Sequence, residues 1–301
     1  MSIFVVLLIL LSALFHVAWN LIGKSSAPSA AFFLGTSLFA VIALSPVYCI
    51  VPLWTLPSKA WLFFIAAGFF QSIYYVGLSG GYKNGDMSSV YPLARALPVL
   101  FIPVITTLLH SGTPLSLSAV LGMVLVSFGC ILLPVNKKAG FHFGNYITRA
   151  TFFSILAAFG TTGYTLVDSA GVQYLSGIVH GQGLQHMYIP PIVYLAYEML
   201  MASVVSSLYI IVQPQERKNF VRILVGSKRS TSLAGLFILA AYGIILLSYP
   251  LVTNVSFITA FRQISIPLGA LGGIFILKEG MSTGKIAGSL VIFLGLVLVY
   301  L

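Results

Sequence analysis

Two arginines, Arg95 and Arg262, stand inside long apolar runs of this chain. A guanidinium carries a fixed fork of donors that matches a carboxylate or a phosphate. At membrane depth it costs at least about 2.5 kcal/mol on insertion scales, so an arginine there needs a partner. Two readings stand side by side: each arginine binds an anionic group from within a cavity, or each ties backbone carbonyls together around a broken helix. Breaks are present in the sequence. The stretch from Gly85 to Phe101 and beyond holds Pro92, Pro98 and Pro103 around Arg95, and Pro267 follows Arg262. Proline removes a backbone donor and kinks a helix, a defect that lipid tolerates only where protein or a water-filled cavity satisfies the freed groups.

Other residue types converge on the same chemistry. His16 and Asn20 share one helical face, where they line a cavity, with His16 carrying a proton near neutral pH, or supply a helix–helix hydrogen bond. Trp19 between them is read as packing. Tyr75 and Tyr82, like Tyr242 and Tyr249, are seven residues apart and so share a face. Tyr82 and Tyr249 fall near span ends, where an aromatic belt explains them. Tyr75 and Tyr242 lie deeper and are expected along a route, with Tyr91, Tyr164 and Gln263 as further binding candidates. Glu198 sits within an apolar run, where unpartnered burial favours the neutral acid; it is a coupling candidate beside His16, a partner for an arginine, or a helix-packing group. Lys24, Asp168, Lys278 and Glu279 fall near span ends, where snorkelling accounts for them. His180 and His186 have no nearby carboxylate or thiol, and no metal site is expected.

The elements that must hold these residues follow from composition. Hydrophobic residues make up 59% of the 301 and charged residues 7%, against roughly 25% charged in a soluble domain. An all-α polytopic membrane protein is expected, since the apolar runs are too long for barrel strands. Ten segments suffice to span: 3–23, 29–51, 60–82, 87–109, 115–134, 147–168, 189–212, 231–250, 254–277 and 283–301. The first, lacking a preceding basic residue and a cleavage site, is expected to be a span and not a signal peptide. The longer connections are 135–146, 169–188 and 213–230.

Charge placement sets the expected orientation. Twelve of the fifteen basic residues fall on one side of this plan, Lys59 on the other, and Arg95 and Arg262 within spans. Lysine and arginine collect on the cytoplasmic side, so both termini are expected outside the cytoplasm. The net charge of +10 then reflects loops and not a nucleic-acid partner. Cys49 and Cys130 both lie in apolar runs and form no disulfide framework. Only five acidic residues exist, which narrows any scheme of proton or sodium coupling.

The chain also repeats. An offset of 167 places Tyr75 on Tyr242, Tyr82 on Tyr249, Ser89 on Ser256 and Arg95 on Arg262. An offset of 166 places Ser116 on Ser282, Gly122 on Gly288 and Gly129 on Gly295, and near the start an offset of 144 places Ala13 on Ala157. The halves are residues 1–137 and 138–301. Five spans in each make the second half enter from the opposite face, an inverted repeat of the alternating-access kind. Each arginine then lies about nine residues into its span, roughly 13 Å deep, from opposite sides.

These residues resemble the drug/metabolite transporter superfamily, EamA type, across the whole chain. His16-Val-Ala-Trp-Asn20 with Lys24 resembles the opening of one EamA subgroup, Gly85 to Arg95 its fourth span, Tyr164-Thr-Leu-Val-Asp168 its sixth, and Arg262-Gln-Ile-Ser265 with Leu277-Lys-Glu279 its ninth. The family commonly has glutamate where this chain has Gln263, and another after span four where this chain has His110-Ser-Gly-Thr. The resemblance implies a secondary transporter, an exporter or exchanger of a small metabolite, with the lipid bilayer and the solute as partners, no cofactor, and a monomer or homodimer in the bacterial inner membrane. No Gly-x-x-x-x-Gly-Lys-Ser/Thr motif is present, so ATP is not the expected direct energy source. Two alternatives stay open. One is a lipid-carrier or head-group flippase. The other is an intramembrane serine hydrolase using Ser79, in Gly77-Leu-Ser79-Gly80, with His16 or His110, although small residues at close helix contacts also explain that tetrad.

Overall fold

A helix that is apolar on all sides has no face for water, and is stable only in a core or in lipid. The computed structural model describes residues 3–108, 116–132, 147–181, 189–252, 258, 261–280 and 282–300, and all regular structure among them is helical. The α-helices are α1 (Ile3–Ser25), α2 (Ala30–Ala43), α3 (Ser45–Ile50), α4 (Ser58–Asn84), α5 (Met87–Leu108), α6 (Leu117–Leu132), α7 (Arg149–Gly181), α8 (Ile189–Val212), α9 (Pro214–Gly226), α10 (Lys228–Ser248), α11 (Ser265–Phe275) and α12 (Thr283–Tyr300). Short 3-10 turns occupy Leu53–Thr55, Tyr249–Leu251 and Arg262–Ile264.

Among the described residues, five helices (α1, α4, α7, α8 and α10) are long and apolar enough to cross a membrane. Polarity runs inside out, as lipid demands. Ile3, Phe4, Leu7, Leu11 and Leu14 of α1 face outward, whereas Ser12, His16 and Asn20 of the same helix are buried. The chain is an all-α integral membrane protein.

The helices pack in pairs. α4 lies along α7, α1 along α10 and α6 along α12, while α2 runs between α8 and α10. α5 packs on α6 and α7, and α11 on α1 and α12. Glycine sets the closest approaches, because a Cβ would collide with the neighbouring backbone. A Cβ on Gly77 would fall 2.4 Å from Ala157 N, and one on Gly160 2.5 Å from Tyr74 N. Small residues let membrane helices come this close.

Four elements differ from the sequence expectation. The segment 29–51 is two helices. α2 ends at Ala43 and α3 restarts with Pro46 in its first turn, where the missing proline donor costs nothing. The connection 169–188 is helical as far as Gly181, with 182–188 outside the described residues. The connection 213–230 contains α9, again with proline at its start. Glu216 of α9 accepts from Ala31 N at 2.9 Å, a negative charge at the positive end of α2. In the ninth segment, Arg262 lies on a 3-10 turn that passes into α11. Pro267 falls in the first turn of α11, whose amides have no intrahelical partner in any case. By contrast, α5 continues without a break past Pro92, Pro98 and Pro103.

Candidate functional site

The turn between α4 and α5 is held at both ends. Lys24 Nζ donates to Tyr82 O and Gly85 O, each at 2.9 Å. Glu279 accepts from Met87 N and Ser88 N, each at 3.2 Å. The cation meets the carbonyl end of α4 and the carboxylate the amide end of α5, the arrangement that helix dipoles favour. Neither residue snorkels as the sequence suggested. Lys278, just before Glu279, takes a left-handed backbone with φ 57°, a strain that a non-glycine residue accepts only where its surroundings impose it.

Residues from α1, α4, α7, α10 and the Arg262 turn enclose a cavity of about 20 Å³, room for about one water. Its polar wall is His16 of α1, Gln71, Tyr74 and Tyr75 of α4, Tyr164 of α7, Tyr242 of α10 and Arg262 of the 3-10 turn, with Trp19 beside His16. Five of the residues singled out from sequence therefore meet at one place: His16, Tyr75, Tyr164, Tyr242 and Arg262.

The hydrogen bonds define what this wall offers. Trp19 Nε1 donates to His16 Nδ1 at 3.2 Å, so Nδ1 bears no proton and the proton of the neutral ring is on Nε2. His16 Nε2 is buried without a partner, as are Gln71 Oε1 and the Tyr74 hydroxyl. Buried polar atoms are nearly always paired. Three orphans and the Arg262 guanidinium therefore border one small polar cavity. His16 also feels both positive charges, Arg95 and Arg262.

Arg95 is buried behind the wall. Its guanidinium lies 6.0 Å from the centre of the Tyr91 ring, a cation–π distance, and is within hydrogen-bonding reach of Tyr164, while its Nε has no partner. The Tyr91 hydroxyl is hydrogen-bonded to Ser265 Oγ at 2.7 Å, which ties α5 to the start of α11. Gln263 is buried next to Arg262 but is not among the cavity-lining side chains.

Asn20 and Tyr82 serve each other. The Tyr82 hydroxyl donates to Asn20 Oδ1 at 2.6 Å, and Asn20 Nδ2 donates to His16 O at 2.7 Å. Asn20 is thereby occupied and lies off the cavity wall, and Tyr82 is buried and no member of an aromatic belt. Tyr249 is likewise buried. Asp168 is corrected too: because α7 continues to Gly181, it lies within the helix, fully buried. It accepts from the hydroxyls of Tyr194, at 3.1 Å, and of Tyr242. Glu198 is equally buried, and neither carboxyl oxygen has a partner. His110, His180 and His186 lie outside the described side chains.

Sequence reasoning missed Gln71 and Tyr74. Gln71 stands one turn before Tyr75 and is the sole amide between Lys59 and Asn84 in its helix, which was signal enough to notice it.

The class that helices and site define is an all-α membrane protein with a buried polar centre. No family model matches the chain, and no curated protein does. A solved structure described only as "Crystal structure of protein" matches with a TM-score of 0.66 at 15% identity, covering 99% of this chain and 96% of that one. Similarity at that identity speaks for a shared fold.

Proposed function

We propose that the chain is a secondary transporter of a small anionic or zwitterionic metabolite, of the EamA type within the drug/metabolite transporter superfamily, and that it works by alternating access as an exchanger or exporter. The observation that carries this is the convergence of unpartnered polar atoms and the Arg262 guanidinium on one cavity, at the centre of helices that face lipid with apolar side chains. Intramembrane ionisable groups of this kind mark solute pathways. His16 Nε2–H and Arg262 supply donors for an acidic group, while Gln71 Oε1 and the Tyr74 hydroxyl accept from an amine or hydroxyl.

Ten spans arise when α2 and α3 count as one and when the 3-10 turn at Arg262 joins α11. The packing supports inverted halves. Exchanging the first five spans with the second five carries the α4–α7 pair onto α10–α1, α5–α7 onto α11–α1, and α2–α10 onto α8–α4, all of which occur. The α6–α12 pair maps onto itself. The charge asymmetry of the loops supports reading the Lys24–Glu279 turn as cytoplasmic. The hydrolase alternative finds no support in Ser79, whose Oγ donates to Val76 O at 3.0 Å.

The test is flux in lipid vesicles of reconstituted protein, with radiolabelled L-threonine, taurine and glycerol 3-phosphate as probes of carboxylate, sulfonate and phosphate chemistry. Uptake of at least one, abolished by Arg262→Ala in protein that retains its helical circular dichroism, is the expected result. Equal flux with Arg262→Ala would sink the assignment of the cavity.

A further inference from the structure

Between Pro214 and Arg229 stand five of the fifteen basic residues: Arg217, Lys218, Arg222, Lys228 and Arg229. All five are exposed. Glu216 is the sole acid between Glu198 and Glu279, and it is turned inward. Its carboxylate accepts from Ala31 N at 2.9 Å and from Asn219 Nδ2 at 3.2 Å. Ile223 is buried on the same side of α9, where a Cβ on Gly35 of α2 would lie 3.8 Å from its Cγ2. These two contacts fix α9 across the first turns of α2 and decide which way its other faces point.

At 3.6 residues per turn, two neighbouring stripes face out, Arg217–Val221–Leu224 and Lys218–Arg222–Val225. Each mixes cations with branched apolar side chains. Val225 is 82% exposed, Val221 61% and Leu224 47%. The flanking helices explain why three such side chains stand outward together. Leu208, Ile211 and Val212 face outward at the end of α8, and Leu233 and Leu236 do so near the start of α10. The lipid-facing belt thus reaches α9 from both of its neighbours in the chain. With 13 residues, α9 is roughly 20 Å long and lies where hydrocarbon gives way to phosphate.

We propose that α9 is an interfacial helix whose Arg217, Lys218 and Arg222 bind the phosphates of anionic phospholipids, while Val221, Leu224 and Val225 enter the acyl boundary. Long cationic side chains reach outward to phosphate while their stems stay among apolar groups. Helices with basic and apolar side chains on the outward face bind membrane surfaces by both attractions at once. Clusters of about four to eight lysines and arginines beside a span, or on such a helix, recognise anionic lipid. Lys218 and Arg222 are one turn apart and can share a single phosphate, and Lys228 and Arg229 extend the positive field. An acidic protein or a nucleic acid would match the charges but not the three apolar side chains. This surface exists whether or not the chain carries a solute.

A fluorophore at position 225 of the full chain, introduced through Val225→Cys with Cys49→Ser, reports on this surface; Cys130 is buried and does not compete for the label. The protein is reconstituted in phosphatidylcholine vesicles with a trace of acceptor-labelled phosphatidylglycerol or acceptor-labelled phosphatidylcholine. Energy transfer should show phosphatidylglycerol enriched by about fivefold or more, the factor that one basic side chain supplies near an anionic surface. Salt should erase the enrichment, as the screening length falls from about 10 Å at about 0.1 M to about 3 Å at about 1 M. The triple variant Arg217→Gln, Lys218→Gln and Arg222→Gln, altered only at exposed positions, should bring the two transfers level while retaining its helical circular dichroism. Equal transfer to both lipids before those substitutions, or a preference that survives them, overturns the lipid site. So does quenching of the fluorophore by aqueous iodide as fast as free dye, which would assign this face to water or to a soluble partner.

Discussion

Lys24 and Glu279 grip one turn from its two ends: the lysine holds the last carbonyls of α4, and the glutamate the first amides of α5. These residues are 255 apart in sequence by subtraction, and in the inverted-repeat plan they belong to opposite halves. Any opening of this turn must release both sets of bonds. Each charged hydrogen bond is worth about 1.5–3 kcal/mol. Glu279→Gln is therefore expected to raise the exchange rate of the Met87 and Ser88 amides roughly tenfold or more, read by hydrogen–deuterium exchange on a peptide covering 83–92. Unchanged protection would mean that the turn is held without Glu279.

Gly129 and Gly288 make a second close crossing, between α6 and α12. A Cβ on Gly129 would lie 2.8 Å from Gly288 O, and one on Gly295 2.7 Å from Gly122 O. The offset of 166 exchanges Gly129 with Gly295 and Gly122 with Gly288, so each contact is the other's counterpart. Gly129→Val and Gly295→Val should each lower stability, by about 1–3 kcal/mol for overpacking, and by similar amounts. A Cβ on Gly177 meets nothing within 4 Å, and Gly177→Ala should stabilise by up to about 1 kcal/mol. Thermal unfolding in detergent separates the three. Unequal losses at Gly129 and Gly295 would count against a two-fold relation.

Much of this was legible in the chain. Lipid imposes one rule on every helix, so long apolar runs mark α1, α4, α7, α8 and α10 whatever surrounds them. What the runs conceal is decided by packing. Asp168, Ser169, Gly171 and Gln173 suggest a loop, yet α7 continues because Val172 and Leu175 bury against the bundle and Gly171 lies under the Tyr194 ring. That continuation is what buries Asp168. Arg262 and His16 were legible as costly residues in apolar surroundings. Gln71, the one amide within α4 before Asn84, left a trace in the sequence, whereas Tyr74 did not, since one more tyrosine carries little penalty until its partner is seen to be missing.

The Asn20–Tyr82 bond gives Asn20 a structural partner. With Asn20→Ala, the buried Tyr82 hydroxyl loses its acceptor, at a cost of about 1–3 kcal/mol. Tyr82→Phe removes the orphan, so the double variant should be more stable than the sum of single losses predicts, by about 0.5–3 kcal/mol of coupling. Additive losses in denaturant unfolding would show that the two side chains act separately.

The two arginines are expected to fail differently. Arg262 lines the cavity, whereas Arg95 stands behind it against Tyr91 and near Tyr164. A hydrogen bond to a charged group contributes about 1.5–3 kcal/mol, and about 1.4 kcal/mol is tenfold in affinity. Arg262→Gln should therefore raise the half-saturation concentration of whichever probe solute moves by at least about tenfold. Arg95→Gln leaves the ligand contacts in place but removes the cation on which the Tyr91 and Tyr164 rings are arranged, so it should lower thermal stability and maximal rate with a smaller change in half-saturation. If both variants weaken half-saturation alike, the arginines take turns at one ligand as the cavity opens to each side, and the wall seen around Arg262 is one half of a symmetric cycle.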